Sequence, residues 1–89
     1  MRDMTAWYVY MVRCTDDSLY TGVATDIAAR VATHNAGKGA KYTRGRRPVV
    51  LIYHEPQQDR GAALRRECAI KRLRPAAKLR LAGLSGEIG

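Results

Sequence analysis

Five side chains with groups that could do chemistry are spread over most of this sequence: Tyr10, Tyr20, Arg30, His34 and Glu67. A guanidinium suits a phosphate because it can make two parallel hydrogen bonds to it. A nearby imidazole can donate to a phosphate or carry a proton. A single carboxylate can take part in Mg²⁺ binding, because this ion keeps several waters and takes oxygens from a phosphate. The set indicates a catalytic surface, provided that the fold brings its members together.

The two tyrosines are predicted to share one face of a β-hairpin. If the polar turn between the two strands centres on Asp16, the numbers of paired residues sum to about 32. Tyr10 then faces Gly22, and Tyr20 faces Val12. A glycine inside a strand often marks a close approach, so Gly22 would leave an open slot beside the Tyr10 ring. The alternative is that both tyrosines are ordinary core aromatics with buried hydroxyls.

Glu67 lies on the apolar side of a predicted helix. At about 100° per residue, Ala63, Ile70 and Leu73 lie to one side of it and Leu64 lies to the other. The carboxylate therefore points to where the helix meets the sheet. A buried carboxylate is costly unless a cation or a metal pairs with it. Glu67 is accordingly either a metal ligand or half of a salt bridge to a nearby arginine at the rim of the core.

Arg30 and His34 are one turn apart on an earlier predicted helix, so they share a face. That face is about a quarter turn away from Ile27 and Val31, which mark the buried side. A surface arginine and a histidine at a helix end are each common, so their value as evidence comes from their place in the larger set.

The elements that would position these residues form an α+β pattern. The predicted strands are 6–13, 19–23 and 49–53, and the predicted helices run from the Asp26 cap to about 35, from the Asp59 cap to about 73, and over 76–84. The order β-β-α-β-α-α implies a small three-stranded antiparallel sheet flanked by helices. The run at 49–53 has the strongest pattern of a central strand. We expect one domain over 1–89, with its core at about 6–81 and a flexible tail at 82–89.

Length and composition exclude several classes of protein. Eighty-nine residues leave room for one core. No apolar run is long enough to span a membrane, and the N-terminus lacks the layout of a secretory signal, which predicts a cytoplasmic protein. Cys14 and Cys68 are expected to be free thiols in that setting.

The positive charge is concentrated in one part of the chain. The net charge is +8, and fourteen basic residues against three acidic ones lie between Arg30 and Arg80. Such a field attracts polyanions, of which nucleic acid is the commonest in the cytosol. The alternative is a solvated basic surface that serves solubility.

Taken in order, these residues resemble the GIY-YIG nuclease superfamily, and most of all its small stand-alone bacterial members of the UPF0213 type. The resemblance covers about residues 6–81. The first motif stands as Tyr8-Val9-Tyr10 without its Gly-Ile, and the second as Tyr20-Thr21-Gly22. The stretch 34–43 looks typical of the small subfamily.

Single positions extend the resemblance. The ten-residue step from Tyr20 to Arg30 fits the helix arginine of the family, and His34 falls where other members carry a tyrosine or a histidine. Glu67 falls where the family places its metal-binding glutamate. Val23 stands where the excision-repair members carry a catalytic lysine, so no lysine role is carried over there.

The resemblance implies a metal-dependent endonuclease that hydrolyses phosphodiester bonds with one divalent ion, Mg²⁺ or Mn²⁺. Glu67 would hold the ion, which would stabilise the leaving 3′ oxygen. Arg30 would neutralise charge on the phosphate. Tyr20 or Tyr10 would position or deprotonate the attacking water, with a pKa lowered by nearby cations. His34 could assist either step.

The implied partner is nucleic acid, with DNA favoured over RNA, and the implied role is structure-directed cutting in DNA repair or processing. The residues expected to bind it are Lys38, Lys41, Tyr42, Arg44, Arg46, Arg47 and Lys71. The Tyr42 ring would be free to stack on a base.

Two other functions stay open at this point. The same fold could be a nucleic-acid-binding module with weak or no catalysis. It could also be a subunit of a larger assembly, in which the last helix, over 76–84, docks a protein partner.

Overall fold

The computed structural model describes residues 6–83, and the fold is a three-stranded sheet with helices on both faces. The strands are β1 (Trp7–Arg13), β2 (Leu19–Ala24) and β3 (Val50–Gln57). The helices are α1 (Ile27–Asn35), α2 (Lys41–Arg44), α3 (Arg60–Lys71) and α4 (Pro75–Leu81). The predicted α+β class and element order are confirmed. The four-residue α2, inside the basic connector, is an addition that the sequence pattern did not predict.

The β1–β2 hairpin has the predicted register. Tyr10 pairs with Gly22, and Val12 pairs with Tyr20. The Asp16 carboxylate accepts a hydrogen bond from the Ser18 backbone N–H at 3.0 Å, which closes the turn through a side chain. Because the turn fixes the pairing, both tyrosines lie on the same face of the sheet.

The prediction that residues 49–53 form the central strand is wrong. The strand order is β2-β1-β3, so β1 is central and β3 is an edge strand. Val50 and Leu51 are 54% and 36% exposed. The physical reason is that β1 pairs with β2 on one side and with β3 on the other, and that α1 leaves an open pocket between Ile27, Val31 and Leu51. An apolar run predicts a strand but does not by itself say which edge is paired.

The two faces of the sheet carry separate apolar clusters. On the Tyr10 face, Ile27 and Val31 of α1 pack against a cluster of buried residues, as predicted: Tyr10, Val12, Cys14, Ala24 and Val49. On the opposite face, Ala63 and Ile70 of α3 pack against Val9. Helices α1 and α3 therefore lie on opposite faces, and any site that uses both must form at an edge of the sheet.

Both long helices begin where the sequence predicts. Asp26 caps α1 by accepting from the Ala29 N–H at 3.0 Å, and Asp59 caps α3 by accepting from the Ala62 N–H at 2.8 Å. The C-terminal ends are earlier than predicted, at Lys71 for α3 and Leu81 for α4. Most of the predicted flexible tail, residues 84–89, lies outside the described residues.

The structure also shows the state of the two cysteines and the length of the helices. Cys14 is buried and Cys68 is exposed, and both are free thiols, as predicted. Within residues 6–83, no helix combines the length and the apolar character that crossing a membrane requires.

Candidate active site

A buried hydrogen bond between Tyr10 and His34 lies at the centre of the candidate site. Strand β1 supplies the phenol, the last turn of α1 supplies the imidazole, and the Tyr10 hydroxyl is 2.7 Å from His34 Nε2. Both residues have almost no exposed surface. A Cβ on Gly22 would lie 2.6 Å from the Tyr10 hydroxyl, so only glycine leaves room for it. The predicted slot therefore exists, and the Tyr10 hydroxyl reaches across β2.

The pKa values of this pair are shifted mainly by burial. Burial raises the pKa of Tyr10, Arg30 opposes this as a donor and as a positive charge, and Tyr20 and Glu67 raise the pKa further. Burial and then the charge of Arg30 lower the pKa of His34. Both groups are therefore neutral near pH 7. The expectation that cations lower the pKa of Tyr10 fails for the protein alone, because the effect of burial outweighs that of Arg30.

Tyr20 is the side chain that joins the parts of the site. Its ring centroid lies 5.3 Å from that of His34, 6.5 Å from that of Tyr10 and 5.9 Å from that of Tyr42. The ammonium of Lys71 lies 5.8 Å from the Tyr20 ring centroid, within the range of a cation–π contact. Residues of β1, β2, α1, α2 and α3 thus converge at the β2 edge of the sheet.

Glu67 reaches this edge through its partner Lys71. Glu67 Oε2 is 3.2 Å from Lys71 Nζ, in an ion pair between residues one helical turn apart. Because Lys71 is paired with Glu67 and lies over the Tyr20 ring, the carboxylate lies near the same edge although α3 is on the other face. The expected salt bridge thus exists, but with a lysine. Arg66 pairs instead with Glu55, at 2.8 Å.

The surroundings of Glu67 decide how it could hold a metal. Within residues 6–83, no group of three or more His, Cys, Asp or Glu side chains is placed to hold a metal ion. The Glu67 side chain is 17% exposed and its Lys71 partner 50% exposed, so the carboxylate is accessible once the lysine moves. A lone carboxylate fits an ion that takes its other ligands from water and phosphate, as Mg²⁺ does. The residues present therefore fit a divalent ion bound together with a substrate.

The five basic residues of the connector that are predicted to bind nucleic acid divide into two groups, and the sixth, Lys71, pairs with Glu67. Lys38, Lys41 and Arg44 are exposed. Arg46 is 3.0 Å from the Asp16 carboxylate, and Arg47 donates at 3.0 Å to the Arg44 carbonyl. The last two side chains hold the connector in place, so the first three are the better candidates for phosphate contacts.

The prediction of a free Tyr42 ring is wrong. Its ring is stacked on that of Tyr20 at 27° between planes, and the Arg46 guanidinium lies 4.1 Å from its centroid. Arg46 also donates to the Tyr42 carbonyl at 2.8 Å. A base could stack on Tyr42 only by displacing one of these neighbours.

Sequence reasoning missed Thr43, which completes the buried centre. Thr43 is fully buried, and its hydroxyl oxygen is 2.8 Å from His34 Nδ1. A Cβ on Gly39 would lie 2.3 Å from the same nitrogen, so the connector backbone lies directly against the imidazole. The available signal was a small polar residue with nearby glycines inside a basic stretch, which by itself is typical of a loop.

Comparison with known proteins shows the family to which the chain belongs. Residues 6–80 match the GIY-YIG catalytic domain. A UPF0213 protein of Staphylococcus haemolyticus is 55% identical over 78 residues, which are 88% of this chain and 95% of that protein. A UPF0213 protein of Desulfotalea psychrophila is 54% identical over 77 residues, which are 85% of this chain and 70% of that protein.

Two solution NMR structures share the fold. A UPF0213 protein from Bacillus halodurans superposes with a TM-score of 0.56 at 41% identity, covering 93% of this chain and 88% of that chain. A protein from E. faecalis superposes with a TM-score of 0.59 at 35% identity, covering 93% and 90%. The chain therefore belongs to the GIY-YIG family of nuclease domains and, within it, to the UPF0213 proteins.

Proposed function

We propose that the protein is an endonuclease that uses one divalent metal ion to hydrolyse phosphodiester bonds, with DNA favoured over RNA. The observation that carries the proposal is the buried Tyr10–His34 hydrogen bond at the sheet edge where Tyr20, Arg30 and Glu67 also lie. Membership of a nuclease family that generally uses divalent metal ions supports it. The arrangement supplies a group for each need of the reaction, namely proton movement, charge neutralisation and metal binding.

Glu67 would hold the ion, Mg²⁺ or Mn²⁺, which when bound supplies charge stabilisation at the leaving 3′ oxygen. In the protein alone the Glu67 carboxylate pairs with Lys71. Release of Lys71 from this pair would leave an ammonium beside Tyr20, where it can contact a phosphate oxygen. Glu67 and Lys71 would thus act in turn as partners of each other and as ligands of the ion and the substrate.

Arg30 is the second cationic group for the phosphate. It is half-buried on α1 and already acts on the pKa of both Tyr10 and His34. Among residues 6–83, Arg30 makes no salt bridge, so no carboxylate in that range competes with the phosphate for its guanidinium. Arg30 would therefore neutralise charge that develops on the non-bridging oxygens.

The attacking water would be held by the tyrosine hydroxyls. Tyr10 is hydrogen-bonded to His34, which gives the phenol a partner for proton movement that a buried tyrosine alone would lack. Tyr20 lies in contact with both rings, so its hydroxyl would orient the water. A neutral Tyr10–His34 pair can take one proton from water without either group being ionised beforehand.

Nucleic acid would be bound through its backbone. Lys38, Lys41 and Arg44 are exposed on the connector and on α2, beside the candidate site. Backbone contacts follow the shape of the nucleic acid and carry no sequence information. This favours structure-directed cutting, of the kind needed in DNA repair or processing, over cutting at a fixed sequence.

The test is a cleavage panel of single-stranded, flapped and branched DNA and RNA, each with Mg²⁺, Mn²⁺ or a chelator. The expected result is metal-dependent cleavage of at least one DNA structure, lost in Arg30→Ala and kept in Arg65→Ala, an exposed arginine on α3. Tight binding without cleavage of any substrate would overturn the proposal. It would favour the alternative of a binding module, which has one observation on its side, the ion pair that occupies Glu67.

A further inference from the structure

Thr43 makes a hydrogen bond with His34 that the proposed chemistry has not used. Its side-chain oxygen lies 2.8 Å from His34 Nδ1 and 2.9 Å from the Ala40 carbonyl oxygen. All three groups are at the inner side of α2, and Thr43 and His34 have no exposed surface. The hydroxyl is therefore shielded from solvent and must satisfy its hydrogen bonds from these two neighbours.

The number of protons on Thr43 and His34 determines which group donates in each hydrogen bond. A carbonyl oxygen can only accept, so the single hydroxyl proton of Thr43 is donated to Ala40. The same hydroxyl then faces His34 Nδ1 with a lone pair, which means that Nδ1 carries a proton. A neutral imidazole has one N–H, so Nε2 is left as the acceptor. The Tyr10 hydroxyl, 2.7 Å from Nε2, must be the donor in that bond.

The backbone around Thr43 makes this arrangement rigid. The Ala40 carbonyl also accepts the Thr43 backbone N–H at 3.0 Å, so its orientation is set by the first turn of α2. Gly39 brings the connector so close to the imidazole that a Cβ there would lie 2.3 Å from Nδ1. The hydroxyl cannot turn its proton toward Nδ1 without giving up the bond to Ala40.

We propose that Thr43 is a positioning residue, which holds His34 as the Nδ1–H tautomer so that Nε2 can accept the proton of Tyr10. The catalytic part of this inference rests on the proposed nuclease function. The same tautomer logic, with a carboxylate in place of the threonine, operates in hydrolases whose histidine acts as a base.

The proton movement that follows is balanced. As the water oxygen bonds to phosphorus, one water O–H bond breaks and its proton goes to the Tyr10 oxygen. The original Tyr10 proton moves to His34 Nε2, which gives an imidazolium that still donates from Nδ1 to Thr43. The bond from phosphorus to the 3′ oxygen breaks, and that oxygen takes a proton from solvent. In the opposite tautomer Nε2 would already carry a proton and this path would be closed.

The first test is the tautomer of His34, read from long-range ¹H–¹⁵N correlations of ¹⁵N-labelled protein. The sequence has two histidines, and His54, exposed on β3, serves as the internal reference. We expect a protonated Nδ1 and an unprotonated Nε2 at His34. A protonated Nε2 in the wild-type protein would overturn the inference, whether or not any variant folds.

The second test separates positioning from stability. Thr43→Val keeps the shape but removes the acceptor, and Thr43→Ser keeps the hydroxyl. We expect Thr43→Val to lose the single-tautomer pattern and to lower kcat by about tenfold or more with KM little changed. Thr43→Ser should keep the pattern and a kcat within about twofold.

Thr33→Val is the matched control. The Thr33 hydroxyl also donates to a backbone carbonyl, that of Ala29 at 2.9 Å, but has no bond to His34. It should leave the His34 spectrum and kcat unchanged. Equal losses in Thr43→Val and Thr33→Val would show a general effect on folding and overturn the positioning role. If the wild-type spectrum is as expected but no substrate is cut, the nuclease proposal fails while the tautomer assignment stands.

Discussion

Glu67→Gln separates metal binding from structure because the ion pair of Glu67 is weak. The amide keeps the size of the side chain and removes its charge. The pair spans one turn of α3, with Lys71 50% exposed. Pairs of this kind stabilise a protein by about 0.3–0.5 kcal/mol. For a chain of 89 residues, losing that amount lowers Tm by about 2–4 °C at most.

The effect of Glu67→Gln on metal binding should be much larger. At ten times its Kd, a divalent ion bound only to the folded state adds about 1.4 kcal/mol. This Kd already contains the cost of about 0.5 kcal/mol for breaking the Lys71 pair, so the rise in Tm should be about 6–11 °C. In Glu67→Gln this rise should vanish, and metal-dependent cleavage should fall by about 100-fold or more. Affinity for nucleic acid without metal should change by no more than a few-fold.

The assay is thermal melting with Mg²⁺, Mn²⁺ or chelator, followed by cleavage of the best substrate. Lys71→Met is the matched control, because it removes the same ion pair but keeps the carboxylate. It should lose little stability and retain or increase the rise in Tm on adding metal. A Glu67→Gln protein that keeps both the metal-induced rise and near wild-type cleavage would refute the reasoning. So would a Glu67→Gln protein destabilised by several kcal/mol, since only a structural pair would do that.

Gly22→Ala should destabilise the protein by about 1–3 kcal/mol in urea unfolding, because the added methyl group would meet the phenol 2.6 Å away; an unchanged midpoint would contradict the close packing. Because burial and Arg30 lower the pKa of His34, its neutral form stabilises the fold above about pH 6.5 and that contribution is lost as the pH falls. His34→Gln should therefore weaken the fall in stability between pH 7.5 and 5.5, by at most about 1.4 kcal/mol per pH unit, and an identical slope would show that His34 does not titrate there. The triple change of Lys38, Lys41 and Arg44 to alanine should reduce the salt slope of DNA binding by about 2–3 for all sequences alike, and a loss confined to some sequences would argue against backbone contacts.

Sequence alone predicted the parts of the structure that local rules decide. The β1–β2 register followed from one turn residue and from strict alternation along the strands, which set Tyr10 opposite Gly22. The starts of α1 and α3 followed from two capping aspartates. Each of these depends on residues only a few positions apart or on a period that the chain itself displays.

The features that sequence did not predict depend on distant contacts. Arg46 covers Tyr42 because it is held by Asp16, thirty residues earlier in the chain. Thr43 lies on α2 when it contacts His34, and a four-residue helix leaves almost no periodic signal in the sequence. The edge position of β3 follows from the pairing of β1 with both other strands, which no pattern within residues 49–53 records.

Helix α2 is a single turn that is exposed and charged on one side and buried against His34 on the other. Lys41 and Arg44 point charge outward, and Thr43 between them is turned inward against His34. So short a helix is not stable by itself. The inner contact with His34 and any outer contact with a phosphate would therefore both stabilise the folded form of α2. A DNA backbone docked on the outer side would tighten the imidazole on the inner side, and an ordered imidazole would in turn favour docking. Substrate binding and the ordering of His34 for proton transfer would then both depend on the same equilibrium, the folding of the four-residue helix α2.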